Sequence, residues 1–339
     1  MRRMAWILAG LAALAMAAEG PYKVLKTAKV GGPGGFDYVY ADSTDRKLYV
    51  PRSGNPGRVM VYNLDTLAQE GEIPEAKGVH GAAVSDKTHH GFASSNPVLM
   101  WDTKTLKTIK TIDVQGSPDG IMHDDFNDRV YIFSHRAPNA TVINPADGSI
   151  VGTIDLGGAP EQAASDGKGH IYVDLEDKDN IAVIDAKTLQ VTGHYDLTGK
   201  GGQCAGLAMD TKNRILFAAC RNPQNMVILN ADDGKILETL PIGAGTDGAV
   251  FNPKTMEAFS SQRDGTLTVV KENSPTSFAV EQTVQTMTGA KTSTLDSKTG
   301  HVYLIAAEYG APTAPPKEGG RGGRAPMVPD SFTILVVGK

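Results

Sequence analysis

Short apolar stretches recur along most of the chain and are separated by turns rich in Asp, Asn and Gly. Residues 159–199, "APEQAASDGKGHIYVDLEDKDNIAVIDAKTLQVTGHYDLTG", contain four such stretches. Apolar and polar residues alternate within many of them, and no segment keeps a helical period of 3.6 residues after the N-terminal region. The pattern predicts short β-strands throughout and an all-β fold.

The strands are organised as a repeat of about forty residues. Seven copies align on a polar residue at the start of the first strand, at intervals of 39 to 44 residues. The aligned residues are Asp37, His80, Asp119, Glu161, Cys204, Asp247 and Lys291. Four short strands in each unit of this length are typical of a β-propeller. We therefore predict a single seven-bladed β-propeller domain over residues 19–339.

The N-terminal and C-terminal segments are predicted to complete one blade together. The seventh repeat has three strands, and residues 22–30 form a strand without a partner in the first repeat. Since proteins avoid leaving a strand edge unpaired, we expect residues 22–30 to pair with residues 331–337. Residues 22–30 would then form the outer strand of blade seven and close the propeller.

In five of the repeats, the turn after the third strand begins with Asp or Asn. Such side chains accept hydrogen bonds from backbone amides two or three residues further on. We predict this capping role for Asn63, Asp102, Asn144, Asp185 and Asn230.

Three segments carry a resemblance to a known family. "NIAVIDAKTLQVTGHYDL", "HIYVDLEDKDN" and "GSPDGIMHD" resemble the YVTN-type repeat of bacterial seven-bladed propellers, the YncE-like family. The similarity extends over essentially the whole chain after residue 18. It implies the propeller fold and, for some relatives, binding to proteins, surfaces or DNA or a place beside periplasmic redox centres. It implies no catalytic residues.

Residues 1–18 have the composition of a signal peptide. Arg2 and Arg3 precede a short apolar run from Met4 to Leu14, and small residues follow at positions 15–17. The run is too short for a permanent membrane anchor. We expect cleavage after this segment, a periplasmic or secreted protein and no membrane span.

Composition narrows the range of partners. The net charge is −5, whereas dedicated nucleic-acid binders typically have an excess of basic residues. Residues 310–331 contain "GGRGGR", which leaves nucleic acid as a weakly supported partner. The Pro and Gly content of this segment predicts a flexible loop or loose lid between the second and third strands of blade seven.

The seven aligned residues are expected to ring one mouth of the central channel, because first strands line the channel of a propeller. One interpretation is that they bind water and turn amides; the other is a polar pocket for a ligand or a divalent cation. Loops on the same face carry further basic residues, which would either bridge neighbouring blades or bind anions. These residues are Arg52, His135, Arg136, Arg221 and Arg263.

The chain has two cysteines, Cys204 and Cys220, at the same end of one predicted hairpin. In an oxidising compartment a cross-strand disulfide is the leading interpretation. A reduced pair and a metal site remain as alternatives.

We predict a monomeric binding or scaffold module for a protein, glycan or small-molecule ligand, with no required cofactor. Whether it is an enzyme is open, and no catalytic residue is assigned. One alternative is a lactonase-like hydrolase with a divalent cation held by ring carboxylates. A further alternative is a periplasmic redox accessory protein.

Overall fold

The computed structural model describes residues 20–137, 139–311 and 325–339. In these ranges all regular structure is β, and 28 strands form seven four-stranded antiparallel sheets arranged as a propeller. The predicted fold class and blade number are confirmed. Residues 1–18, predicted to be a signal peptide, lie outside the described ranges.

The first three blades follow one another directly along the chain. Blade one contains β2 (Tyr40–Asp42), β3 (Lys47–Arg52), β4 (Arg58–Asn63) and β5 (Gln69–Pro74). Blade two contains β6 (Ala82–Ser85), β7 (His90–Ala93), β8 (Val98–Asp102) and β9 (Thr108–Ile112). Blade three contains β10 (Pro118–Asp124), β11 (Arg129–Ser134), β12 (Asn139–Asn144) and β13 (Ser149–Asp155).

The next three blades repeat the same order of strands. Blade four contains β14 (Pro160–Ser165), β15 (His170–Leu175), β16 (Asn180–Asp185) and β17 (Gln190–Asp196). Blade five contains β18 (Cys204–Asp210), β19 (Ile215–Arg221), β20 (Gln224–Asn230) and β21 (Ile236–Pro241). Blade six contains β22 (Thr246–Asn252), β23 (Glu257–Gln262), β24 (Thr266–Ser274) and β25 (Ser277–Gln285).

Blade seven is built from both ends of the chain. Its strands are β26 (Ser293–Leu295), β27 (Val302–Ala306), β28 (Thr333–Gly338) and, outermost, β1 (Lys23–Lys29). The register runs from Lys23 opposite Gly338 to Lys29 opposite Thr333. The predicted closure by an N-terminal strand is confirmed.

The turns after the third strands have the predicted Asx caps. Asn63 Oδ1 accepts hydrogen bonds from the backbone amides of Asp65 and Thr66, both at 3.0 Å. The amides that follow Asp102, Asn144, Asp185 and Asn230 are bonded in the same way. Each turn then needs a residue with positive φ, which is Leu67, Leu106 or Leu189 in three repeats and Gly148 or Gly234 in the others.

The core lies between the blades, where each sheet packs its apolar face on the next sheet. Tyr49 of blade one is fully buried against Trp101 of blade two, with ring centroids 5.6 Å apart. The inner strands of blades five and six, β18 and β22, approach each other closely. A Cβ atom on Gly206 would lie 2.6 Å from the carbonyl carbon of Gly248, so this position has no room for a side chain. No described helix is long and apolar enough to cross a membrane.

The ends of the predicted flexible loop, residues 310–331, are ordered. Tyr309 forms a bridge with Met327, and the Gly310 amide donates to the carbonyl of Pro326 at 2.9 Å. A two-stranded base therefore fixes both ends of the loop beside blade seven. Residues 312–324, at its centre, lie outside the described ranges.

Candidate ligand-binding face

Eight charged side chains form a closed loop of contacts at one end of the channel, and we call this loop the mouth ring. Acidic and basic residues alternate around it, and every blade contributes at least one member. The members in order are Asp37, His80, Asp119, His135, Glu161, Arg221, Asp247 and Lys291, which contacts Asp37 again.

Two histidines link the acidic residues of the first four blades. His80 Nδ1 lies 2.8 Å from Asp37 Oδ2 and 3.2 Å from Asp119 Oδ1. His135 Nδ1 lies 3.3 Å from Asp119 Oδ2, and its Nε2 lies 3.5 Å from Glu161 Oε1. Each imidazole thus bridges two carboxylates of different blades.

Arg221 and Lys291 complete the ring through blades five to seven. The Arg221 guanidinium donates to Asp247, lies 3.9 Å from Glu161 Oε1 and pairs at 2.8 Å with Glu176 Oε2. Lys291 Nζ donates to the second oxygen of Asp247 and lies 2.8 Å from Asp37 Oδ1. Most of the ring charge is therefore neutralised by inter-blade ion pairs.

The environment shifts the pKa values of Asp37 and Glu161 in opposite directions. Burial disfavours the charged form of Asp37, but hydrogen bonds from His80 and Lys291 outweigh it and lower the pKa of Asp37 to about 2. Burial and the nearby charge of Asp247 raise the pKa of Glu161 well above its ordinary value. Glu161 therefore holds a proton more readily than Asp37.

The predicted ring position in blade five was wrong by one residue. Cys204 pairs with Cys220 in the sheet, as Pro118 pairs with Ser134 in blade three. Cys204 is thus equivalent to Pro118 and not to Asp119, and Ala205 takes the ring position. The two cysteines lie directly opposite each other, with their sulfurs bonded at 2.04 Å.

Arg52 was assigned to the rim of the mouth but is buried in blade one. Its guanidinium donates to the backbone carbonyls of Gly31, Gly32 and Gly34 and stacks 3.6 Å from the centroid of the Phe332 ring. It therefore joins the chain after β1 to blade seven and has a structural role.

The two remaining predicted arginines lie outside the mouth ring. Arg136 and Arg263 are exposed, and neither side chain forms an ion pair or hydrogen bond with the described residues. They differ in location, because Arg263 lines a cavity at the mouth and Arg136 does not.

Three further residues at the channel were not predicted from the sequence. Tyr38 reaches across from blade one and donates to Glu161 Oε2 at 2.6 Å. The Gln162 side chain bonds the backbone of Leu207 and Ala249 on the next two blades, and Glu176 pairs with Arg221. Tyr38 and Gln162 follow ring residues where four other repeats have glycine, a contrast that would have singled them out.

A cavity of about 1110 Å³ opens over one side of the mouth ring, and we call it the mouth cavity. Its floor includes Asp37, His80 and Lys291. Its walls are mixed, with Phe36, Met287 and Tyr309 among the apolar and aromatic residues and Arg263 and Glu308 among the charged ones. Ala325, at the ordered end of the loop of blade seven, also borders it.

A second cavity, of about 300 Å³, lies along the channel below Tyr38 and Glu161. It extends to Asp86, His123 and Asp125 at the opposite face.

Two groups of side chains could offer three ligand atoms each to a cation. They are Asp37, His80 and Asp119, and His135, Glu161 and Glu176, with the ligand atoms of each group within 4.8 Å of one another. In the first group, His80 Nδ1 already bonds Asp37, so a cation would have to displace that contact.

Comparisons with known proteins support the fold. No family model matches the chain, and no curated protein matches it. The chain is similar to one chain of the crystal structure described as the mitotic checkpoint complex. The TM-score is 0.71 at 13% sequence identity, and the match covers 90% of this chain and 96% of that chain. Chains of solved structures that match number 1649, and a fold this widespread does not specify one function.

Proposed function

We propose that this chain is an exported, YncE-like propeller that binds a small-molecule ligand in the mouth cavity. The observation that carries the proposal is the cavity of about 1110 Å³ above the mouth ring. A concave site of this size with a few polar groups at its base is the usual form of a small-molecule site.

The surrounding structure supports a preformed site. The ion pairs of the mouth ring hold the cavity floor between blades, and the ordered base of the blade-seven loop forms one border. Export is supported by the composition of residues 1–18, and the YncE-like assignment by the three repeat segments quoted above.

A protein ligand at the same face is a less favoured form of the proposal. The similar structure is described as a complex, and propellers are suited to scaffolding. The volume of the mouth cavity favours a small molecule.

Hydrogen exchange with a fragment library of neutral, cationic and anionic compounds tests the proposal. Binding fragments should slow exchange in residues 35–38, 79–80, 287–291 and 307–309. Protection confined to the opposite turns, residues 43–46 and 211–214, would show that the binding face is the other one.

A cation-dependent hydrolase is the second candidate, because two groups of His and carboxylate atoms lie within 4.8 Å. Metal analysis of protein purified from its native compartment separates the two. A stoichiometric divalent cation, lost in His80→Ala, would favour the enzyme; its absence would favour the binding module.

A further inference from the structure

Arg263 occupies the same position in its blade as two members of the mouth ring. In blades three, five and six, the last residue of the second strand that pairs with the first strand is Ser134, Cys220 and Gln262, respectively. The residues beside these pairs are His135, Arg221 and Arg263. His135 and Arg221 each turn inward and bridge carboxylates of two blades.

Arg263 does not form an equivalent contact, and both oxygens of Asp247 are already paired with other cations. One oxygen of Asp247 accepts from Arg221 and the other from Lys291. Lys291 is a basic residue at a ring position that is acidic in four other blades. The blade-seven side of Asp247 is therefore occupied by Lys291, which leaves Arg263 outside the ring.

The backbone of Arg263 is nevertheless held firmly. Its amide donates to the carbonyl of Gly245 at 3.0 Å, and its carbonyl accepts from the amide of Gly289 at 2.8 Å. The side chain lines the mouth cavity and has no ion pair or hydrogen bond with any residue in the described ranges. A fixed backbone with an unpaired guanidinium in a concave site is suited to binding an anion.

The other cations of the cavity floor limit the charge of that anion. Lys291 is neutralised by Asp37 and Asp247, and His80 by Asp37 and Asp119. Among the described residues that line the cavity, Arg263 is the one cation without a charged partner, and the Glu308 carboxylate adds a negative charge to the wall. A single carboxylate therefore suits the cavity better than a doubly charged phosphate. The planar guanidinium forms two parallel hydrogen bonds with a carboxylate.

The cavity walls indicate the rest of the ligand. Phe36 and Met287 present partly buried apolar surface, and Tyr309 is 50% exposed. An exposed aromatic ring at the edge of a cavity offers a flat face for stacking.

We propose that the ligand of the mouth cavity is a small monocarboxylic acid with an apolar or aromatic body, and that Arg263 binds its carboxylate. This inference rests on the proposed function and adds the ligand class to it.

Three acid and amide pairs serve as probes: benzoate with benzamide, phenylacetate with phenylacetamide, and hexanoate with hexanamide. Each amide keeps the shape of its acid and lacks the charge. Binding is measured by titration with NMR detection for the wild-type protein, Arg263→Gln and Arg136→Gln. Arg136 is the matched control, because it is an exposed arginine outside the cavity and has no ion pair or hydrogen bond with the described residues.

At least one acid should bind more tightly than its amide. Arg263→Gln should weaken that acid by about tenfold or more, as expected for a charge-assisted pair, and leave the amide unchanged. Arg136→Gln should bind like the wild type, and Arg263→Lys should recover part of the affinity.

Equal binding of acid and amide, with no effect of Arg263→Gln, would overturn the ligand class but leave the mouth cavity as the binding site. Failure of all three acids to bind, while neutral or cationic fragments protect the same face, would have the same meaning. Loss of acid and amide together in Arg263→Gln would also overturn it, because the arginine would then shape the cavity instead of binding charge. No protection of the mouth by any fragment would overturn the proposed function itself.

Discussion

The guanidinium of Arg221 contacts Glu161 and Glu176 of blade four and Asp247 of blade six, so it links the two neighbours of its own blade. Asp247 and Glu161 are nearly inaccessible to solvent, at 7% exposure each. Removing one member of such a group leaves the others charged and only partly solvated.

We expect Arg221→Gln to reduce the free energy of unfolding by roughly 2 kcal/mol. This is less than for a fully buried pair, because the arginine is partly exposed and solvent screens it. Urea unfolding measures the change, with Arg136→Gln as the control that should stay within about 0.5 kcal/mol of the wild type. Equal free energies of unfolding for the two variants would show that the Arg221 ion pairs do not stabilise the protein.

Glu272 and Asp210 form a buried carboxyl pair between blades five and six, away from the mouth. Their exposures are 3% and 1%, and Asn213 donates to Glu272 Oε1 at 2.6 Å. Burial, followed by the nearby Asp210, raises the pKa of Glu272 from 4.5 to about 7. Glu272 therefore holds a proton at mildly acidic pH.

This pair predicts a pH-dependent stability. Glu272 binds its proton more tightly in the folded state, so its contribution is favourable at low pH and is lost as the pH rises from about 4.5 to 7. Replacement by Gln should remove a change on the order of 3 kcal/mol across this window. Urea midpoints at pH 5 and pH 8 measure the difference. Parallel profiles of the wild type and Glu272→Gln would contradict the raised pKa of Glu272.

At the scale of the strand, β1 matters through its backbone. Its side chains are mostly exposed, whereas β28, its partner, is buried along its whole length. Without β1, the edge of β28 and the apolar residues of blade seven would face water.

Deleting residues 22–30 should lower the melting temperature by on the order of 10 °C, because several ladder hydrogen bonds and the cover over blade seven are lost. Circular dichroism during heating measures it. The control is Lys23→Ser with Thr27→Ser, which changes exposed side chains and keeps the strand. A large effect of this control, or none of the deletion, would contradict closure by the backbone of β1.

The hairpin of β18 and β19 carries the cysteines directly opposite each other. Thiol counting on protein purified from its native compartment, under denaturing and non-reducing conditions, should find no free thiol, and the same count after reduction should find two. Two free thiols before reduction would show that Cys204 and Cys220 are a reduced pair and not a disulfide.

At the scale of the whole molecule, the seven blades bring charged residues together that are up to 254 positions apart, as for Lys291 and Asp37. The mouth ring is therefore a property of the closed propeller, and the cavity above it depends on blades one, two, six and seven.

The combined variant Asp119→Asn with Asp247→Asn should weaken ligand binding at the mouth more than Asp45→Asn, which lies on an exposed turn of the opposite face. The ring changes loosen the cavity floor, and the Asp45 change does not reach it. Titration with a fragment that binds the wild type measures the effect. If binding survives in the ring variant and is lost in Asp45→Asn, the ligand site lies on the face opposite the mouth ring.

The repeat itself determined the fold, the number of blades and the closing strand. Strand alternation and Asx turns such as the one at Asn63 depend on residues close in the chain, so the sequence displays them directly. It also placed Asp37, His80, Asp119, Glu161, Asp247 and Lys291 at the mouth, because one position per repeat points to the same end of the channel.

The tertiary structure alone decided which of these side chains pair. Cys204 lies one position before the ring position that the alignment of repeats predicts. The reason is the register of its hairpin, which is set by hydrogen bonds between the two strands. Arg52, Arg221 and Arg263 look alike in the sequence. In the structure, Arg52 is buried in blade one, Arg221 joins the mouth ring and Arg263 lines the mouth cavity. Their roles depend on which oxygen atoms other blades bring within reach, and that distance is fixed only when the propeller closes.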